Sequence, residues 1–393
     1  MDKDSLARIR TVMLGVVALF CGGMVLLYAK SVIEPLLLAF FACLLLNPLV
    51  KKLESFLSAK LKIPKWIATA AAVPIALLLA ALLMVGFGLI FYANLAPIFE
   101  AWPRYLERGT EQIDRILGWL RDKGLENATW ETLNKQAGDT KVVDQIQKNF
   151  APGPVLAFLT GGITSFLGFL GQAFLVLIYT IFMLFEAAEY RKKAERVFGE
   201  KSALIGMVEK VSVKVQIYLN VKTLMSFLTG AFTALACALF GVDFALFWGV
   251  FAFAINYIPY LGSVVAVVFP ALLALFQYDN PLIAIGLLIV LTVIQNGIGT
   301  VLEPKVMGDK MSISPLVLLF SLVFWGWLWG VVGMILSAVF AVGIQLMMRE
   351  HPYFKQWSRM MDATASDKTR IMIKPGSDCG PPTASSPFAP NKT

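Results

Sequence analysis

The chain has 393 residues, of which 58% are hydrophobic and 15% charged, with a formal net charge of +8. A soluble domain is nearer 45–50% apolar and about 25% charged, so this composition excludes one and indicates an all-α polytopic membrane protein lying in a lipid bilayer. The excess of Lys and Arg falls in the loops of one side, which assigns it to membrane topology and not to nucleic acid.

In chain order, residues 11–29 form a first apolar span behind Lys3, Arg8 and Arg10. It reads as a span and not a cleaved leader, because a second run at 32–50 follows after only a turn. Lys51, Lys52, Lys60, Lys62 and Lys65 then mark a cytoplasmic loop. A third span covers 66–94, with Trp66 and Tyr92 at its interfaces. Residues 1–95 make a three-span scaffold. Residues 96–154 are polar with nearly balanced charge, and Leu106, Ile113, Ile116, Leu117 and Leu120 recur at helical spacing. They are expected to form an amphipathic, extracytoplasmic segment. Residues 155–202 hold a fourth span and a loop with Arg191, Lys192, Lys193 and Arg196. A transport region at 203–348 follows, with a fifth span at about 218–240 behind an interfacial helix and a sixth at 282–302. Residues 349–393 are a cytoplasmic tail, rich in Pro, Gly, Ser and Thr at its end and expected to be disordered there.

Two apolar runs in the 203–348 region are each broken in the middle. One spans 244–276 and is broken at Asn256-Tyr257-Ile258-Pro259-Tyr260-Leu261-Gly262-Ser263; the other spans 314–345 and is broken at Trp325-Gly326-Trp327-Leu328-Trp329-Gly330. One crossing takes roughly 20 helical residues and two take roughly 40; runs of about 33 match neither. Two half-length helices joined at a tip do match. The expectation is therefore about six full spans plus two re-entrant helical hairpins. With the N-terminus and C-terminus both cytoplasmic, re-entrance puts every basic loop on the cytoplasmic side. Span five with the first hairpin, and span six with the second, run in opposite directions, as in an inverted repeat.

Irregular backbone at membrane depth is tolerated where it is buried in protein or lines a cavity. That singles out Asn256, Pro259, Tyr260, Gly262 and Ser263 at the first tip as candidate substrate-binding residues, and Trp325, Gly326, Trp327 and Gly330 at the second. Gln295 and Asn296 are adjacent amides deep in span six, suited either to a neighbouring helix or to a ligand. Glu303 is the candidate for ion coupling, since carboxylates in membranes are costly; an interfacial pair with Lys305 or Lys310 is the plainer alternative. The four cysteines and the single histidine have no metal-ligand spacing, and no phosphate-cradling loop or nucleophile–base pair stands out. No metal, cofactor or enzymatic activity is expected.

Asn256-Tyr257-Ile258-Pro259-Tyr260-Leu261-Gly262-Ser263 with Pro270, and Glu303-Pro304-Lys305-Val306-Met307-Gly308 with Pro315, Gly330 and Gly333, resemble the autoinducer-2 exporter family of bacterial membrane proteins. The resemblance covers residues 1 to about 348. It implies a homo-oligomer, with a pentamer as the guess, in the bacterial inner membrane. It also implies export of a small polar signalling molecule through a site formed by the hairpins; the coupling ion, a proton or sodium, is expected from Glu303 itself. A sodium/proton antiporter is the alternative.

Overall fold

In a computed structural model, residues 3–122, 152–199, 202–307, 313–350 and 354–361 are described. The expectations for 123–151, for Lys310 and for the disordered tail beyond 361 lie outside them. The described residues are helical and contain no β-strand. The helices are α1 (Lys3–Tyr28), α2 (Lys30–Leu61), α3 (Lys65–Asp122), α4 (Pro152–Phe198), α5 (Ala203–Leu239), α6 (Ala245–Ile255), α7 (Leu261–Gln277) and α8 (Pro281–Asn296). A π-helical turn (Gly297–Leu302) joins α8 to α9 (Glu303–Met307), and α10 (Pro315–Glu350) and α11 (Lys355–Met360) follow.

Among the described residues, 5 helical stretches have the length and composition to cross a membrane: Lys30–Lys60, Lys65–Ile90, Leu204–Leu239, Pro281–Met307 and Pro315–Glu350, of which the last is broken in the middle at Trp329-Gly330. Their apolar side chains point outward as well as inward. Leu83 on α3, Phe227 on α5 and Val293 on α8 are all exposed, as lipid-facing or subunit-facing positions require.

Helix α2 packs on α3 and α4 through Val50, Ala72, Val73, Ala76 and Leu77, with Leu177 and Ile181 closing the cluster. Prolines inside α2 and α3 leave these helices unbroken, as neighbouring helices permit in lipid. Helix α3 runs straight past the change from apolar to polar sequence near residue 95 and continues to Asp122. Helix α5 is likewise uninterrupted, the stretch expected to be interfacial running directly into the apolar one.

Helices α6 and α7 are short, and their far ends meet. The Asp243 amide donates to Gln277 Oε1 at 2.9 Å, and Gln277 Nε2 donates to the Gly241 carbonyl at 2.9 Å. Tyr278 Oη donates to the Gly241 carbonyl at 2.6 Å. The chain thus returns to the level at which it left α5. Apolar packing of Ala236, Cys237, Phe247, Trp248, Val267, Ala274 and Leu287 unites α5, α6, α7 and α8 beneath this junction. Asn280 caps α8 by accepting from the Leu282 amide at 3.0 Å, with Pro281 in the first helical turn.

Helix α10 departs from helical geometry at Trp329 (φ −128°, ψ 15°) and Gly330 (φ 61°, ψ −138°). Its two arms, 315–328 and 331–350, lie side by side. Ser321 Oγ donates to the Ser337 carbonyl at 2.7 Å, and Trp325 stacks on Phe340 with centroids 4.1 Å apart. In a straight helix, residues 321 and 337 would stand about 24 Å apart. Leu346, Val342, Val339 and Ala338 of the second arm pack on Val211, Val215, Tyr218 and Leu219 of α5.

Candidate functional site

The break between α6 and α7 is a tight turn. The Ile258 amide donates to the Ile255 carbonyl at 2.9 Å, and the Leu261 amide to the Pro259 carbonyl at 2.6 Å. The latter closes a three-residue γ-turn on Tyr260, held at φ 59° and ψ −53°. This sense of γ-turn is rare and strained for a residue with a Cβ, and such strain gathers at ligand clamps and switch regions. Pro259 fits the turn because it needs no donor. Gly262 fits because a Cβ there would collide with the Ile255 carbonyl oxygen. The break in α10 uses the same device. A Cβ on Gly333 would collide with the Trp325 carbonyl oxygen, and Gly330 supplies the positive φ.

Beneath the first turn lies a buried polar chain. Gln295 Nε2 donates to Asn256 Oδ1 at 3.0 Å, and Asn256 Nδ2 donates to Ser226 Oγ at 3.0 Å. It ties α8, the first turn and α5 together. Beside it, Tyr257 Oη donates to Thr223 Oγ1 at 2.8 Å. One helical step further in, Lys222 Nζ lies 3.2 Å from both Oε1 and Oε2 of Glu303. The side chains of this pair retain only 12% and 16% exposure. Tyr218, Lys222, Thr223 and Ser226 therefore form one face of α5.

The π turn explains why Glu303 faces α5. The Glu303 amide donates to the Ile298 carbonyl, five residues back. The extra residue rotates everything after it by roughly 100° relative to an α-helical register.

The candidate residues are thus distributed as follows. Asn256 and Gln295 are joined, with Pro259, Tyr260, Gly262 and half-buried Ser263 immediately above them in the chain. Asn296 is exposed and donates back to the Thr292 carbonyl at 2.9 Å. Glu303 pairs with Lys222 of α5. At the second turn, Trp325 is wedged against Phe340, while Trp327 is 71% exposed. Gly326 approaches Met334 of the opposite arm. Trp329, a neighbour outside the candidate set, is buried and donates from Nε1 to the Leu26 carbonyl of α1 at 3.1 Å. Sequence reasoning missed Tyr218, Lys222, Thr223 and Ser226. Their spacing along one helical face was the available signal, diluted by the apolar residues around them.

Apolar helices of spanning length, two reversals of chain direction and a hydrogen-bonded polar interior define a multi-pass membrane protein with an internal polar site. The sequence matches the AI-2E family transporter over residues 12–352, and the chain belongs to that family of bacterial membrane proteins. It is 29% identical to the AI-2 transport protein TqsA of Escherichia coli K12 over 343 residues, covering 86% of this chain and 91% of that one. A candidate transport protein of Borreliella burgdorferi is 35% identical over 231 residues, 58% of this chain and 63% of its own length. The candidate transport protein YhhT of Escherichia coli K12 is 31% identical over 310 residues, 79% of this chain and 82% of its own.

Proposed function

We propose that the protein is a secondary transporter that exports a small polar signalling molecule, of the autoinducer-2 kind, across the bacterial inner membrane. The observation that carries this reading is the buried Ser226–Asn256–Gln295 chain directly under a strained turn. Buried amides at membrane depth are there for helix association or for ligand. Here they meet where the first of the two chain reversals lies beside the long helix α5. Kinship with TqsA, named for AI-2 transport, supplies the solute class.

In this reading 244–276 and 314–345 are re-entrant hairpins, accompanied by six full spans with both termini in the cytoplasm. The bonds joining Asp243 to Gln277 and Ser321 to Ser337 favour that arrangement. The two halves of 203–348 form an inverted repeat and move, elevator-like, against the scaffold of residues 1–95. Homo-oligomeric assembly anchors the scaffold. A sodium/proton antiporter is the second reading, favoured by the ion pair of Glu303 and Lys222 within the helical bundle.

Proteoliposomes carrying the purified protein separate the two. Efflux of autoinducer-2 is followed alongside sodium-dependent proton movement. Solute flux without a sodium requirement upholds the exporter. Sodium-dependent proton movement with no solute flux assigns the antiporter.

A further inference from the structure

The Lys222–Glu303 pair lies on the inner side of the first turn. At about 1.5 Å per residue, Lys222 sits roughly 26 Å along α5 from Leu239, close to one hydrocarbon thickness. Further in, Lys210 and Lys214 are taken by Glu350 at 3.3 and 3.6 Å. Around the pair itself, α5 contributes Tyr218, whose phenol is near enough to interact with both Glu303 and Tyr257. The first turn contributes Tyr257, already donating to Thr223. On its own helix, Glu303 has exposed Lys305 two positions on.

A largely buried ion pair is by itself weak support for the fold. Replacing such a pair by neutral groups is often neutral or stabilising. Its chemistry suggests a different use. The ammonium only donates hydrogen bonds, and the carboxylate only accepts them. Held side by side, they complement two adjacent hydroxyls, one accepting from Lys222 and the other donating to Glu303. The Tyr257 and Thr223 hydroxyls continue this polar surface toward Asn256.

We infer that Lys222 and Glu303 form a binding pair for a small uncharged solute with adjacent hydroxyl groups, and that a proton on Glu303 competes with that solute. This rests on the transport reading above. A proton from water adds to one carboxylate oxygen of Glu303; no other bond forms or breaks. The pair passes from net zero to +1, and the carboxylate loses its charge and one of its two accepting oxygens. A solute hydroxyl that donates to Glu303 is therefore held more weakly once the proton is on. By linkage, solute binding expels a proton to the same degree that protonation weakens binding. An exporter built this way exchanges outgoing solute for an incoming proton.

The test uses the full-length protein, with borate-free autoinducer-2 as the probe. Proteoliposomes loaded with it are diluted into buffer at the internal pH or into more acidic buffer. The proteins compared are wild type, Glu303→Gln, and the doubly neutral Lys222→Gln/Glu303→Gln, which leaves no unpaired charge. Proton release on adding the probe to weakly buffered protein is read in parallel. Wild-type efflux should accelerate in acidic buffer, and the probe should release protons. Glu303→Gln should bind about tenfold more weakly, from the loss of one charge-assisted hydrogen bond. Both variants should be indifferent to the gradient and release no protons. Wild-type efflux that ignores the gradient, or variants that respond as wild type does, would overturn the inference while leaving transport intact. Wild type that moves no probe under any condition overturns the transport reading and this inference with it.

Discussion

The Tyr105 hydroxyl donates a 2.6 Å hydrogen bond to Asp243 Oδ2, joining the polar extension of α3 to the turn between α5 and α6. Neighbouring contacts strengthen this junction. Arg108 donates to the Gln277 carbonyl at 2.8 Å, and Gln112 donates to the Tyr278 and Asp279 carbonyls at 3.2 and 3.0 Å. Phe276 lies against Gly109, and Ile98 packs on the cluster beneath. In this state the far end of the α6–α7 pair is held by α3, whose apolar part packs in the α2–α3–α4 core, so movement of the pair against the scaffold would have to break these bonds.

Burial, and then the bond to Asp243, push the Tyr105 phenol above its ordinary range. A raised value means that its contribution is complete below the unfolded value of about 10 and is lost as pH rises beyond it. Tyr105→Phe should lower stability by about 1 kcal/mol at neutral pH. The gap between wild type and variant should hold constant up to about pH 10 and shrink above it. Thermal unfolding in detergent across that range checks the prediction. A gap that widens in alkali would count against the clamp.

Gly262 and Gly333 should be the least replaceable small residues in the two turns. In each, a methyl group would strike a backbone carbonyl of the opposite arm, which has no side-chain freedom to yield. Gly262→Ala and Gly333→Ala should each cost about 1–3 kcal/mol or more. Gly86→Ala, with nothing within 4 Å, is the control and should stay within about 0.5 kcal/mol. Unfolding temperatures of the three variants decide it.

Asn256 and Gln295 should be energetically coupled. Removing either amide leaves the other with a lost partner in a buried site. A double-mutant cycle with Asn256→Ala and Gln295→Ala should give a coupling of about 0.5–2 kcal/mol. Additive single effects would show that the 3.0 Å contact carries no net energy.

Much of the helical layout was legible because apolar runs of spanning length have few alternative fates. The two interruptions were legible too. Pro259 and Gly262, and Gly326 and Gly330, mark the stretches where the backbone leaves helical geometry at Tyr260 and at Trp329-Gly330. The continuation of α3 was hidden by composition, since a rise in polar residues looks like a boundary, whereas the backbone needs only helical dihedrals to continue. Glu303 was visible as an isolated carboxylate, yet its partner was sought at Lys305 and Lys310. The π turn redirects it to Lys222, 81 residues away in sequence, and no local pattern announces that rotation. Ser226 and Thr223 were invisible for another reason: single hydroxyls in an apolar helix usually satisfy themselves on their own backbone.

The most direct measurement is equilibrium binding of autoinducer-2 to the purified protein by calorimetry, for wild type and Asn256→Ala. The account predicts saturable binding to wild type and at least tenfold weaker binding to the variant, the cost of losing a buried polar contact at the turn. No saturable binding to folded wild type, or equal affinity in both proteins, would contradict it.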